Sequence, residues 1–211
     1  MSLANLTKDV LIFTDLDGTL LDHDSYRFDE ASVMLDYLKT HHIPLILVTS
    51  KTKNEVIRLQ KLLAIEMPFI VENGAGILIP KSGGYETIAM GKDYKTIRQA
   101  FERYAQTVPM RGFFDMRAEE IAVYTDLPLK QAADAKERLF TEPFILEDEN
   151  ALDRLRKLAD RDGLSVVKGG RFYHLITKGQ DKAAAIRHLV KYFEEVSGHA
   201  FKTVALGDSA N

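Results

Sequence analysis

IFTDLDGTLLD, residues 12–22, sets two aspartates, Asp15 and Asp17, directly behind the apolar run VLIF of residues 10–13. The run is β-branched-rich and lacks alternation, the pattern of a strand buried on both faces. Carboxylates at the end of such a strand are costly unless something there needs them. Successive strand side chains point to opposite faces, so the two acids can act together only if the chain turns after Asp15. Gly18 makes that turn feasible.

The same arrangement recurs along the chain. IPLILV (43–48) is a second buried strand ending at Thr49 and Ser50. TKNE (52–55) offers a capping box for the helix that follows, with Val56, Leu59, Leu62 and Leu63 as its apolar stripe. FIV (69–71) ends at Glu72 and Asn73, and TVAL (203–206) ends near Asp208 and Ser209. Strands alternating with helices predict a parallel α/β sheet. In such a sheet the strands' carboxyl ends share one edge, where ligands bind.

Between these pieces the texture changes. PKSGGYE (80–86) reads as a linker or loop. Tyr94, Ile97, Phe101 and Tyr104 mark a helix, IAVYT (121–125) reads as a strand, and PLKQAADAKERLF opens a helix with proline at its first position. PFIL (143–146) is a further strand, Leu152, Leu155, Leu158 and Ala159 mark another helix, and LSVVKGGRFYHLIT (164–177) reads as two strands joined at a Gly-Gly turn. A long amphipathic helix over about residues 181–197 returns to the first domain. The expected organisation is therefore a core of residues 1–83 and 178–211 with an α+β insertion at 84–177.

Composition removes several classes of function. The 211 residues carry 28 basic and 31 acidic side chains, a net charge of −3, which gives no general attraction for nucleic acid or an anionic membrane. No run is long enough to span a bilayer, and the N-terminus lacks a signal core. With no cysteine, disulfides and thiolate sites are excluded, and a cytoplasmic location is expected. A calcium loop starting at Asp15 fails, because Thr19, Leu20 and Tyr26 stand where a ligand, glycine and glutamate are needed.

What remains is a hard-cation site with a carboxylate nucleophile. Like charges at 4 Å repel by about 4 kcal/mol at an effective dielectric of 20. Mg²⁺ offsets this with one or two carboxylates, waters and a phosphate oxygen. One acid can then attack phosphorus and a second can move the proton. The bland alternative is a pair of turn-capping acids.

DLDGTLLD resembles the first motif, DxDx[TV], of the haloacid-dehalogenase-like phosphohydrolases. The resemblance implies Asp15 as nucleophile and Asp17 as general acid/base, with Mg²⁺ held by Asp15, the backbone carbonyl of Asp17 and Asp208. Thr49 matches the second motif, as a phosphoryl contact, and Lys182 in GQDKAAAI the third. GDSAN (207–211) matches the beginning of the fourth, although the sequence stops where a further aspartate and the last core strands are expected. Thr49 or Ser50 could equally cap the next helix, and a lone lysine such as Lys182 is more often a solvated helix residue. The insertion resembles the type-B cap of the family's second class, and VENGA (71–75) is typical of that class, placing Asn73 and Gly74 near the site.

VTSKT, VENGAGI and GGRFYHL further resemble the branch of the family that acts on mannosyl-3-phosphoglycerate. This implies a small sugar-phosphate substrate, with Arg171 and His174 as contacts for an anionic group and Ser50, Lys51 and Lys53 assisting. Strand alternation points Arg171 and His174 apart, so at most one of them meets substrate unless a bulge intervenes. A phosphosugar mutase of the same fold, or a sugar-phosphate-binding protein with an idle site, are the competing expectations. Oligomeric state is not encoded in any of these features.

Overall fold

The computed structural model describes residues 9–22 and 27–208. Strand β1 (Val10–Thr14) lies between β10 (Lys202–Leu206) and β2 (Leu45–Leu47), parallel to both. A parallel bridge from Val48 to Ile70 joins β2 to β3 (Phe69–Val71). Antiparallel β4 (Gly76–Lys81) and β5 (Gly84–Ala89) extend this sheet. PKSGGYE is thus the turn region of a hairpin within the core sheet, a loop rather than a linker. The residues from 84 to 89 pair with β4 rather than joining the insertion, and we take the insertion to begin near Gly91.

Helices cover both faces because the strands are apolar on both. Helices α1 (Ser32–Thr40) and α2 (Lys53–Leu63) bury Leu35, Leu38, Val56 and Leu63 against Leu45, Leu47 and Phe69. The opposite face, with Leu11, Phe13, Ile46 and Ile70, is covered by Ala185, Leu189 and Phe193 of α7 (Lys182–Ser197). The capping box of α2 forms as its sequence predicts. Thr52 Oγ1 accepts from Glu55 N at 3.3 Å and Glu55 Oε2 accepts from Thr52 N at 2.8 Å.

The insertion is a separate antiparallel sheet of order β6-β7-β9-β8, built from Met110–Gly112, Glu142–Leu146, Phe172–Thr177 and Leu164–Gly169. Its alternation sorts the side chains. Phe144, Tyr173, Leu175 and Val166 pack against α3 (Tyr94–Ala105) and α6 (Leu152–Arg161). On the other face, Ile145 and Phe172 pack against α4 (Ala118–Thr125) and α5 (Leu129–Lys136).

IAVYT, expected as a strand, is the second half of α4. Glu120 closes the turn onto Arg117 N at 2.9 Å, and Ile121 is buried among Phe113, Met116, Ala132 and Ala135. A helix N-terminus with acids in its first turn overrides β propensity there. Pro128 caps α5 rather than opening it. In the β8–β9 hairpin Gly169 pairs with Phe172, so the turn residues are Gly170 and Arg171. The two crossings between core and insertion run side by side, with Lys92 N donating to Thr177 Oγ1 at 2.8 Å.

His174 sits on the face with Phe172 and is buried, with no hydrogen-bond partner for Nδ1 among the described residues. Burial, aided by the charge of Arg138, pushes its pKa down from 6.5 to about 3. The folded protein therefore holds a neutral imidazole over a range where the unfolded chain binds a proton. Its contribution to stability is complete above pH 6.5 and is lost as pH falls towards 3.

Two outcomes are expected in chemical denaturation. Leu189→Ala, which empties the α7–sheet contact, costs about 2–5 kcal/mol. Below pH 6.5 the unmodified protein loses up to about 1.4 kcal/mol per pH unit through His174. The variant His174→Leu does not lose that increment; identical pH profiles would refute the assignment.

Candidate active site

The acids and their cations meet at the carboxyl edge of the core sheet. Asp15 continues the pairing of β1, its N–H donating to Leu206 O at 2.9 Å. The chain then folds into a tight turn, with Leu21 N donating to Leu16 O at 2.8 Å and Gly18 N to Leu21 O at 2.9 Å. Asp17 lies within this turn. Asp15 Oδ1 accepts from Leu16 N at 2.7 Å, and Oδ2 accepts from Lys182 Nζ at 2.6 Å.

Lys182 is the first residue of α7, where the helix dipole disfavours a cation. Asp181, the N-cap, accepts from Ala184 N, and the contact with Asp15 adds further compensation. A lysine held at that end of a helix serves the carboxylate rather than the helix. Lys51 plays the same part for Asp17, with Nζ 2.9 Å from Oδ1. Thr49, fully buried, accepts from Lys51 N through Oγ1 at 3.1 Å, and its carbonyl accepts from Asn73 N at 3.0 Å.

The third strand end is a strained turn. Glu72, Asn73 and Gly74 have φ of 51°, 59° and 87°, three consecutive left-handed residues. Each of the two non-glycine residues costs roughly 1–2 kcal/mol. A Cβ on Gly74 would run into the carbonyl oxygen of Asp181, so this turn lies directly on the start of α7. Gln180 Nε2 donates to Glu72 O at 2.8 Å. The Glu72 carboxylate is fully buried and accepts from Leu139 N, Phe140 N, Thr141 N and Thr141 Oγ1 at 2.7–3.1 Å. These four bonds offset both the desolvation of the charge and the strain.

The cap is docked on the core through this segment and through α5. Thr52 Oγ1 donates to Asp134 O at 2.9 Å, Arg58 pairs with Asp134, and Arg138 Nη1 donates to Ser50 O at 2.8 Å. Lys53, at the start of α2, lies over the Tyr85 ring. Arg171 lies in the cap hairpin and donates to Tyr124 O at 3.0 Å and to Asp126 Oδ2 at 2.7 Å. Because it lies in the turn before β9, strand alternation does not govern its direction. Glu72 was visible in the sequence only as a polar strand end. Arg138 and Asp134 carry no motif that would single them out, and Gln180 lies in the stretch around Lys182 without a role assigned to it there.

Asp208 follows β10, and Ser209 lies outside the described residues. A Cβ on Gly18 would lie 2.9 Å from Asp208 Oδ2, so the glycine leaves room for the Asp208 carboxylate against the first loop. Among the described residues no three acidic or histidine side chains form a metal cluster by themselves. Mg²⁺ does not need one, since it takes one or two carboxylates with waters and phosphate oxygens. Asp15, Asp208 and the carbonyl of Asp17 offer oxygens only, the donor type that ion prefers, while the Asp17 side chain is engaged by Lys51.

Residues 12–211 match the profile of the haloacid dehalogenase-like hydrolases. A glucosyl-3-phosphoglycerate/mannosyl-3-phosphoglycerate phosphatase of Persephonella marina is 49% identical over 213 residues, covering 96% of this chain and 79% of that protein. Its counterpart in Methanococcoides burtonii is 40% identical over 216 residues, covering 95% and 79%. A haloacid dehalogenase-like hydrolase from Bacteroides thetaiotaomicron superposes with a TM-score of 0.69 at 17% identity, over 94% of this chain and 81% of that one, a likeness of fold. With a parallel sheet edge that gathers Asp15, Asp17, Thr49 and Lys182, and with similarity along nearly its whole length, the chain belongs to the haloacid dehalogenase-like hydrolase family.

Proposed function

We propose that this chain hydrolyses the phosphomonoester of a hexosyl-3-phosphoglycerate, with 2-O-mannosyl-3-phosphoglycerate as the first substrate to try. The observation that carries the reading is the 2.6 Å contact between Asp15 and Lys182, 167 residues apart in sequence. It sits beside Lys51 and Asp17 on the same sheet edge. Two relatives known as glucosyl-3-phosphoglycerate/mannosyl-3-phosphoglycerate phosphatases support the substrate class.

The positions of the groups support the following chemistry. Asp15, its carboxylate oriented by Leu16 N and Lys182, attacks phosphorus and forms an aspartyl phosphate. The bond from phosphorus to the glyceryl oxygen breaks, and Asp17 gives that oxygen its proton. Asp17 then takes a proton from water, which attacks the same phosphorus and frees the Asp15 carboxylate and inorganic phosphate. Acid–base help of this kind is worth roughly 10²- to 10⁴-fold. Thr49, Ser50, Asn73 and Gly74 line the edge where the phosphoryl group would lie. Mg²⁺, held by Asp15, the Asp17 carbonyl and Asp208, would supply positive charge against the phosphoryl oxygens. The docked cap shields the reacting atoms from bulk water.

Phosphate release from mannosyl-3-phosphoglycerate, glucosyl-3-phosphoglycerate and mannose 6-phosphate is the test. Asp15→Asn is expected to abolish release, and Asp17→Asn to slow it by about 10²- to 10⁴-fold. Chelation is expected to stop turnover and added Mg²⁺ to restore it. Turnover by Asp15→Asn at the unmodified rate would sink the reading.

A further inference from the structure

Arg138 is a cap residue that reaches the core at the phosphoryl edge. It follows the C-terminus of α5, donates through Nε to Ala135 O at 2.9 Å, and crosses through Nη1 to Ser50 O at 2.8 Å. Ser50 lies between Thr49 and Lys51, so the guanidinium stands next to the residues that would receive the phosphoryl group. Its backbone is fixed from the other side, because Leu139, Phe140 and Thr141 are clamped by the Glu72 carboxylate.

The charge state of Arg138 sets it apart from its neighbours. Lys182 is matched by Asp15, Lys51 by Asp17 and Arg58 by Asp134. Both bonds that Arg138 makes go to neutral carbonyls, and among the described residues no carboxylate pairs with it. A guanidinium has five N–H donors in a planar fork, so most of this fork remains available. Its field reaches the cap-sheet face, where it helps keep the buried His174 ring neutral. His174 adds a ring nitrogen, Nδ1, with no hydrogen-bond partner among the described residues. A positive charge without an acid, beside a neutral imidazole, is suited to an anion that arrives with the ligand.

We propose that Arg138 is the specificity-determining residue that receives the substrate's second acidic group, the glyceryl carboxylate, across the core–cap crevice. This rests on the phosphatase reading above. The carboxylate is joined to the phosphoryl group by a short carbon chain, so a cation next to the phosphoryl residues can meet it. Arg171, at the hairpin turn and bonded to Asp126, already has an acid to balance its charge. Arg138 reads the acid, and Lys182 and Lys51 serve the reacting end.

The test compares mannosyl-3-phosphoglycerate with its carboxylate methyl ester, which has the same phosphoryl group and one charge fewer. The full chain is used unmodified and as Arg138→Gln and Arg138→Lys. The unmodified protein is expected to lose about 30-fold or more in kcat/KM on the ester, mainly through KM. Arg138→Gln is expected to lose a similar factor on the acid, and its losses on acid and ester should differ by at least tenfold. Arg138→Lys should recover part of the loss, since it keeps the charge without the fork. Should Arg138→Gln not fold, the ester comparison on the unmodified protein and on Arg138→Lys still decides. Equal turnover of acid and ester by the unmodified protein overturns the inference. So does an equal loss on both substrates in Arg138→Gln, which would make Arg138 a cap-docking group alone. No phosphate from either substrate with the unmodified protein would instead refute the phosphatase reading.

Discussion

Charge compensation at one edge of a sheet governs this molecule. Asp15 and Asp17 stand two residues apart, at the end of a buried strand and in the tight turn after it, where uncompensated carboxylates would repel each other and resist desolvation. Each is given a lysine from another element, Lys182 from the start of α7 and Lys51 from the loop before α2. To supply them, the chain must bring β1, β2 and α7 to one place, which is what the parallel crossovers accomplish. The fold and the site are in this sense one problem: the topology that buries Leu11, Phe13 and Ile46 also delivers the cations.

The left-handed turn at residues 72–74 is the second consequence. It supports Asn73 beside Thr49 and lies against the start of α7, at a cost in backbone strain. The carboxylate of Glu72 repays that cost by binding a segment of the cap, so the strain at the site is sustained by contacts in the insertion. Removing a partner from a buried, hydrogen-bonded charge is usually severe. Core and cap are therefore energetically linked as well as covalently joined.

The α/β core was legible because its signals are local and mutually consistent: continuous apolar strands, a capping box at Thr52 and glycine stops such as Gly198. The placing of polar residues at the strand ends was legible for the same reason. The cap was read less well. IAVYT has the composition of a strand, yet Glu120 and the packing of Ile121 make it a helix. The hairpin at β4 and β5 reads as a loop because glycines and lysine dominate its turn. Arg138 left no trace in the sequence, since its place depends on a clamp 66 residues upstream, at Glu72, and on Ser50. A solvated helix end and a ligand-facing guanidinium look the same until those contacts are known.

The paired crossings at Lys92 and Thr177 have a mechanical consequence. Because the excursion leaves and returns at neighbouring points, the core strands span the same gap whatever is inserted between them. The whole appendage is topologically a bubble on an otherwise continuous ribbon. Another appendage of different size could occupy that position without asking β1, β2 or α7 to move. It would have to furnish new partners for the Glu72 carboxylate and for Thr52, Arg58 and the Ser50 carbonyl. Such interchangeability would let the sheet edge keep its reaction while the roof above it changes what is admitted.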